Sequence, residues 1–104
     1  MPACPQTFVP NWTLKFPAAS PSAREQFAMA YDAMHGRVVL FGGFNGSSYL
    51  GDTWVWNGTT WALQSPAASP TARYGASMAY DAAHGKVVLF GGDGFREITW
   101  CALL

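Results

Sequence analysis

Arg37-Val38-Val39-Leu40-Phe41-Gly42-Gly43 returns, forty-nine residues later, as Lys86-Val87-Val88-Leu89-Phe90-Gly91-Gly92. The repetition reaches well upstream of this stretch. Trp12 recurs as Trp61, Pro17 as Pro66, Arg24 as Arg73, Tyr31 as Tyr80 and His35 as His84, with no slip of register. Residues 12–43 laid over 61–92 agree at 22 of 32 positions, so one unit has been duplicated. Beyond the glycine pair the second copy is three residues shorter, and Trp54 answers to Trp100.

Inside the unit the pattern predicts four short strands separated by turn residues. The first is 26–31 (75–80 in the second copy), followed by a hairpin loop from Asp32 to Gly36, or Asp81 to Gly85, in which Gly supplies the positive φ. The second is 37–41 (86–90), an almost unbroken apolar run that implies cover on both faces and ends at the glycine pair. The third is 52–56 (98–103). After the turn Asn57-Gly58-Thr59-Thr60 comes the fourth, 61–64, matched near the N-terminus by 12–15.

Composition agrees with an all-β chain. Eleven Gly and seven Pro spread along 104 residues break up long helices, and sixteen aromatic residues require burial. Six basic residues balance six acidic ones, which excludes a basic nucleic-acid binder, and the hydrophobic content excludes a disordered chain. No run of eighteen apolar residues would span a membrane, and no signal peptide opens the chain as given. Cys4 and Cys101 are too sparse for a disulfide scaffold or a zinc site. Free thiols are the expectation, since Thr13, rather than Cys4, should lie across from Cys101.

A four-stranded unit of about fifty residues, with Gly-Gly closing its second strand and Trp opening its fourth, has the form of a β-propeller blade. Val38 to Gly43, Asp52-Thr53-Trp54-Val55-Trp56 and Trp61, recurring as Val87 to Gly92, Ile98-Thr99-Trp100 and Trp12, resemble the Kelch repeat in its bacterial variant, similar to the central domain of galactose oxidase. The resemblance covers about 90 of the 104 residues. In the second copy it departs where Glu97 or Arg96 replaces Asp52 and where no fourth strand follows.

The units divide the chain into a leader (1–11), an outer strand that completes a neighbouring blade (12–16), a full blade (17–64) and a blade lacking its fourth strand (65–104). That makes eight strands, two blades' worth, whereas propellers close with four to eight blades. The expectation is a homo-oligomer, with a homotrimer giving the six blades usual in the family, joined head-to-tail by exchange of the N-terminal strand. A fragment of a longer protein is the alternative.

The resemblance also implies where ligands bind. In a Kelch propeller the first strand of each blade lines the channel, and the mouth receives the segment before it and the loop between second and third strands. Kelch domains that bind acidic peptides or other ligands carry a mouth-facing Arg at the position of Arg24 and Arg73. Arg bonded to loop carbonyls, or to a carboxylate such as Asp52, is the other reading of these residues. Four consecutive mismatches between the copies, Glu25-Gln26-Phe27-Ala28 against Tyr74-Gly75-Ala76-Ser77, fall at the same mouth. With Asn45 and Arg96 from the loops, Arg24, Glu25, Gln26, Arg73 and Tyr74 form the candidate site, suited to a small polar or carbohydrate-like ligand or a peptide. Free drift of unpacked side chains would give the same mismatches.

Other features have simpler readings. Gly42, Gly43, Gly91, Gly92, Trp12, Trp54, Trp61 and Trp100 are expected to be structural, the tryptophans as blade packing. His35 and His84 belong to hairpins remote from the mouth, and Asp32 and Asp81 cap those hairpins. Asn11, Asn45 and Asn57 open Asn-x-Ser/Thr sequences, two of them explained by Asn-Gly turns. The terminal Cys-Ala-Leu-Leu matches a prenylation box without the polybasic stretch that should precede it.

The expected function is a non-enzymatic binding or scaffold module, without cofactor or metal. A Kelch-type carbohydrate-active enzyme, oxidase-like or epimerase-like, and a purely structural repeat fragment are the alternatives.

Overall fold

The computed structural model describes residues 11–93 and 99–102. Seven strands form two antiparallel sheets. Sheet 1 has the order β1 (Ala28–Asp32), β2 (Arg37–Phe44), β3 (Tyr49–Trp56), β4 (Trp61–Gln64). Sheet 2 contains β5 (Ser77–Asp81), β6 (Lys86–Phe90) and β7 (Thr99–Ala102). The duplicated sequence thus folds as two equivalent up-and-down sheets. Ala28↔Phe41 and Asp32↔Arg37 in sheet 1 have Ser77↔Phe90 and Asp81↔Lys86 as counterparts in sheet 2.

Strand boundaries differ from expectation in both sheets: β1 and β5 start two residues later and end one later than expected, and the changes in β1, β2 and β3 have local reasons. β2 does not stop at the glycine pair. It continues to Phe44 across a register shift between Phe41 and Gly43, and β3 begins at Tyr49 rather than Asp52. The hairpin is carried outward because the Asn45 side chain accepts hydrogen bonds from the backbone of Ser47 (2.9 Å) and Ser48 (2.8 Å) and closes the loop tightly. β1 starts at Ala28 rather than residue 26, since Gln26 holds a left-handed φ of 54° that no strand residue adopts.

Alternation gives each sheet two faces, and the repeat makes them comparable. The front of sheet 1 carries Ala28, Ala30, Val39, Phe41, Thr53 and Val55. Its back carries Met29, Tyr31, Val38, Leu40, Trp54, Trp56, Trp61 and Leu63. The core forms where the front of sheet 1 meets the back of sheet 2. Ala28 and Phe41 pack with Leu89, Ala76 and Met78, while Val39 and Val55 pack with Val87, Met78 and Tyr80. Unlike faces are therefore joined; among the described residues no other sheet covers the back of sheet 1, where Leu40 is buried but Met29 and Tyr31 are exposed, or the front of sheet 2. Phe41 is 3% exposed, whereas its counterpart Phe90 is 51% exposed.

Backbone contacts bind the sheets at one end. Gly43 N donates to Arg73 O (2.9 Å), Arg73 N to Leu50 O (3.1 Å) and Gly75 N to Gln26 O (2.8 Å). The glycine at position 42 is required here, because a Cβ would stand 2.6 Å from Arg73 O and φ is +70°. Residues 12–16 form no strand. Trp12, expected in blade packing, is 97% exposed and joins neither sheet among the described residues.

Gly36 also has a positive φ (63°) but nothing within 4 Å of a Cβ. Gly36→Ala is therefore expected to cost about 1 kcal/mol from φ alone. Gly42→Ala, which must also push back the Arg73 carbonyl, should cost roughly 2–4 kcal/mol. Urea unfolding of the two variants measures the difference, and equal losses would refute the close-approach role of Gly42.

Candidate functional site

The expected mouth lies at the end of the sheets where the Arg73 segment crosses the Gly42-Gly43 turn. Arg24 approaches it on a part-buried side chain, 4% exposed. Its guanidinium donates to Asp52 Oδ1 (2.6 Å) and Oδ2 (2.9 Å), to Gly42 O (3.2 Å) and to Ser22. Asp52 also accepts from the Trp54 indole (2.8 Å). Burial by itself would raise the Asp52 carboxyl, but the Arg24 hydrogen bonds, the indole and the guanidinium charge outweigh it and hold Asp52 below its ordinary value. Arg73 repeats the arrangement. It is 1% exposed, and its guanidinium donates to Gly91 O (3.1 Å), Thr71 O (3.0 Å) and Thr71 Oγ1 (2.7 Å). Both arginines thus clamp the segment before the first strand to the glycine turn of their own sheet. In the single chain neither projects into solvent at the mouth.

The remaining candidates divide. Glu25 and Gln26 are exposed at the seam between the sheets, and Glu25 pairs through its backbone with Phe44. Tyr74 makes the equivalent bridge with Asp93 and donates its hydroxyl to Asp93 Oδ2 (3.1 Å). That hydrogen bond, with the Asp93 charge, raises the Tyr74 phenol above its usual value. Asn45 spends its side-chain oxygen on its own loop. Arg96, Cys4 and the expected strand end at Leu103 lie outside the described residues.

Sequence reasoning missed the aromatic group beside Tyr74. Phe44, Tyr49 and Tyr74 bring their ring centroids within 5.0–5.9 Å of one another, two rings from sheet 1 and one from the start of sheet 2. Extending the comparison of the two copies one residue past the glycine pair would have pointed to it, since Phe44 stands where the second copy has Asp93. With Glu25 and Gln26 alongside, the seam offers aromatic faces next to carboxylate and amide groups. This is a surface that can stack on and hydrogen-bond to a polar ligand.

The histidines serve the opposite hairpins. His35 Nδ1 lies 2.8 Å from Asp32 Oδ2, with Arg37 on the same carboxylate, and His84 Nδ1 lies 2.7 Å from Asp81 Oδ2. Burial would raise Asp32, yet the His35 and Arg37 interactions leave it below the ordinary carboxylate value. Trp61 packs on Trp56 at 5.6 Å. Among the described residues no three His, Cys, Asp or Glu side chains gather as a metal site requires, and no helix is long and apolar enough to cross a membrane. Comparison with protein-family models and with curated proteins finds no match for the chain.

Because the Asp52 carboxyl is depressed in the folded state, its stabilisation is complete above the unfolded carboxylate value of about 3.9 and is lost as pH falls through the folded value. Asp52→Asn leaves the buried Arg24 guanidinium without its counter-charge and should cost on the order of 3 kcal/mol at pH 7. It should also flatten the acid-side decline of stability. Denaturant midpoints of wild type and variant between pH 7 and pH 2 check both effects.

Proposed function

We propose that this chain is a Kelch-type, non-enzymatic binding or scaffold module whose copies assemble into a closed β-propeller, a trimer of six blades with exchanged N-terminal strands. Its ligand, a small polar or carbohydrate-like molecule or a peptide, is held at the channel mouth. The observation that carries the reading is the joining of unlike faces. The front of one repeat packs on the back of the next, so every such joint leaves a front and a back still to be covered. Several exposed apolar residues fall on those two faces. Met29, Tyr31 and Phe90 are open to solvent, while their counterparts Met78, Tyr80 and Phe41 pack between the sheets. A second copy brings a front to the open back and a back to the open front, a heterologous contact that must either close as a ring or run on as a filament. Ring closure suits the blade geometry and removes the open faces.

At the mouth, the support is the aromatic seam of Phe44, Tyr49 and Tyr74 beside Glu25 and Gln26, placed on loops over a rigid scaffold where binding residues commonly sit. A glycan, peptide and small-molecule screen on the assembled species tests this part, and an empty screen would favour a purely structural role.

Assembly itself is read from mass in solution. Light scattering should give about three times the 11.2 kDa of one chain, and Phe90→Asp should shift the species to the monomer without unfolding it. A monodisperse wild-type monomer would overturn the reading.

A further inference from the structure

Four strands stand in sheet 1 and three in the described part of sheet 2, and the repeat states which strand fits beside β7 and how it pairs. β4 lies on β3 with Trp61 opposite Trp56, Ala62 opposite Val55, Leu63 opposite Trp54 and Gln64 opposite Thr53. β7 corresponds to β3 through Trp100 and Trp54, and residues 12–15 correspond to β4 through Trp12 and Trp61 and through Leu14 and Leu63. We infer that residues 12–15 cross to a second copy and pair with its β7, with Trp12 opposite Ala102, Thr13 opposite Cys101, Leu14 opposite Trp100 and Lys15 opposite Thr99. This rests on the ring reading above and adds to it the surface, the partner strand and the register.

Three further observations converge on the same neighbour. The first is position. β4 belongs to the sheet whose front packs on the back of the sheet that follows it in the chain. Residues 12–15 precede sheet 1, so they belong to a sheet whose front covers the back of sheet 1. The chain's own sheet 2 lies on the front of sheet 1, so it cannot supply that sheet. The second is the open back itself. It carries a groove of about 510 Å³ lined by Met29, Val38, Trp56 and Trp61 of the sheet, with Lys15, Pro17 and Ser20 along its border. The incoming segment therefore already runs beside the surface that the neighbour's Phe90 face would fill. The third is a glycine. A Cβ at Gly42 would press on the Arg73 carbonyl, whereas its counterpart Gly91, with φ +75°, has no atom of the described residues within 4 Å. The counterpart of Arg73 is Arg24, and the Arg24 backbone of the incoming copy would take the place above Gly91.

One neighbour thus fills the strand position, the groove and the space above Gly91 together. The exposed apolar side chains of Trp12, Leu14 and Phe16 mark the segment that moves. In the single chain β7 is the edge strand of its described sheet, a row of unpaired backbone groups that strand addition satisfies.

Paired residues on adjacent antiparallel strands stand about 4.5–5.5 Å apart at Cα, within disulfide range. Thr13→Cys in a Cys4→Ser background is therefore expected, on mild oxidation, to link chains through the native Cys101 into covalent species up to the size of the ring on a non-reducing gel. The links should vanish with Cys101→Ser. Leu14→Cys places its thiol on the other face of the strand, and cross-linking from it equal to that from Thr13→Cys would overturn the register. A trimer that forms no link between chains, or a link closed within one chain, would overturn strand exchange and leave ring assembly standing. A monomeric wild type would overturn both. Should Thr13→Cys fail to assemble, Leu14→Pro provides a second reading, because proline cannot serve in the ladder. Loss of the trimer is expected, and an unchanged mass would overturn the inference.

Discussion

The structure depends on the contact between unlike faces of two equivalent sheets. Val39 and Val55 from one repeat meet Val87, Met78 and Tyr80 from the other, and Phe41 meets Leu89. The sheets come close enough for backbone to join backbone at one end, where Gly43 N reaches Arg73 O. That approach leaves no room for a side chain at position 42, at the end of a largely apolar strand. The arginine before each first strand then ties its own segment down to the glycine turn, Arg24 to Gly42 O and Arg73 to Gly91 O. The arginine clamp on the glycine turn is made twice, and the packing between unlike faces once within the chain.

The candidate site follows from this clamp. Because the clamps hold the segments before β1 and β5 against the ends of their sheets, the next residues, Glu25 and Tyr74, are set in backbone bridges to Phe44 and Asp93. Function is thereby assigned to residues that the scaffold leaves over. The arginines, the first residues suggested by the family resemblance, are consumed by structure, and the exposed groups beside them face the seam.

The internal repeat made strand order, hairpin partners and the position of the strand-turn-strand units legible in the sequence, since alternation and turn residues are local signals. His35 and His84 could be placed in hairpins for the same reason. The chain could not reveal which face of one sheet meets which face of the other, because both faces of β2 are apolar. The fate of Gly42 was hidden likewise, for it is decided by the Arg73 carbonyl of the other repeat, whereas the bonding of Arg24 to Asp52 and to a loop carbonyl was one of the two readings the sequence offered. Nor could the outward extension of β2 and β3 be foreseen, as it depends on Asn45 closing its loop through its own side chain.

The two kinds of seam in the proposed ring are not alike. Within one chain the seam sets Phe44 beside Tyr74, ring centroids 5.9 Å apart, with Tyr49 packed against both. Between chains the corresponding places belong to Asp93 of one copy and Glu25 of the next, since Asp93 replaces Phe44 and Glu25 replaces Tyr74 in the repeat. Stacked rings favour the first seam, and two carboxylates at the second repel one another. In such a ring the chain would hold its own two sheets together more firmly at the mouth than it would hold a neighbour, and the joint between copies would draw its strength from the apolar faces and the added strand. Three aromatic seams would then alternate with three acidic ones around the mouth of the proposed ring, giving it threefold symmetry over a scaffold close to sixfold.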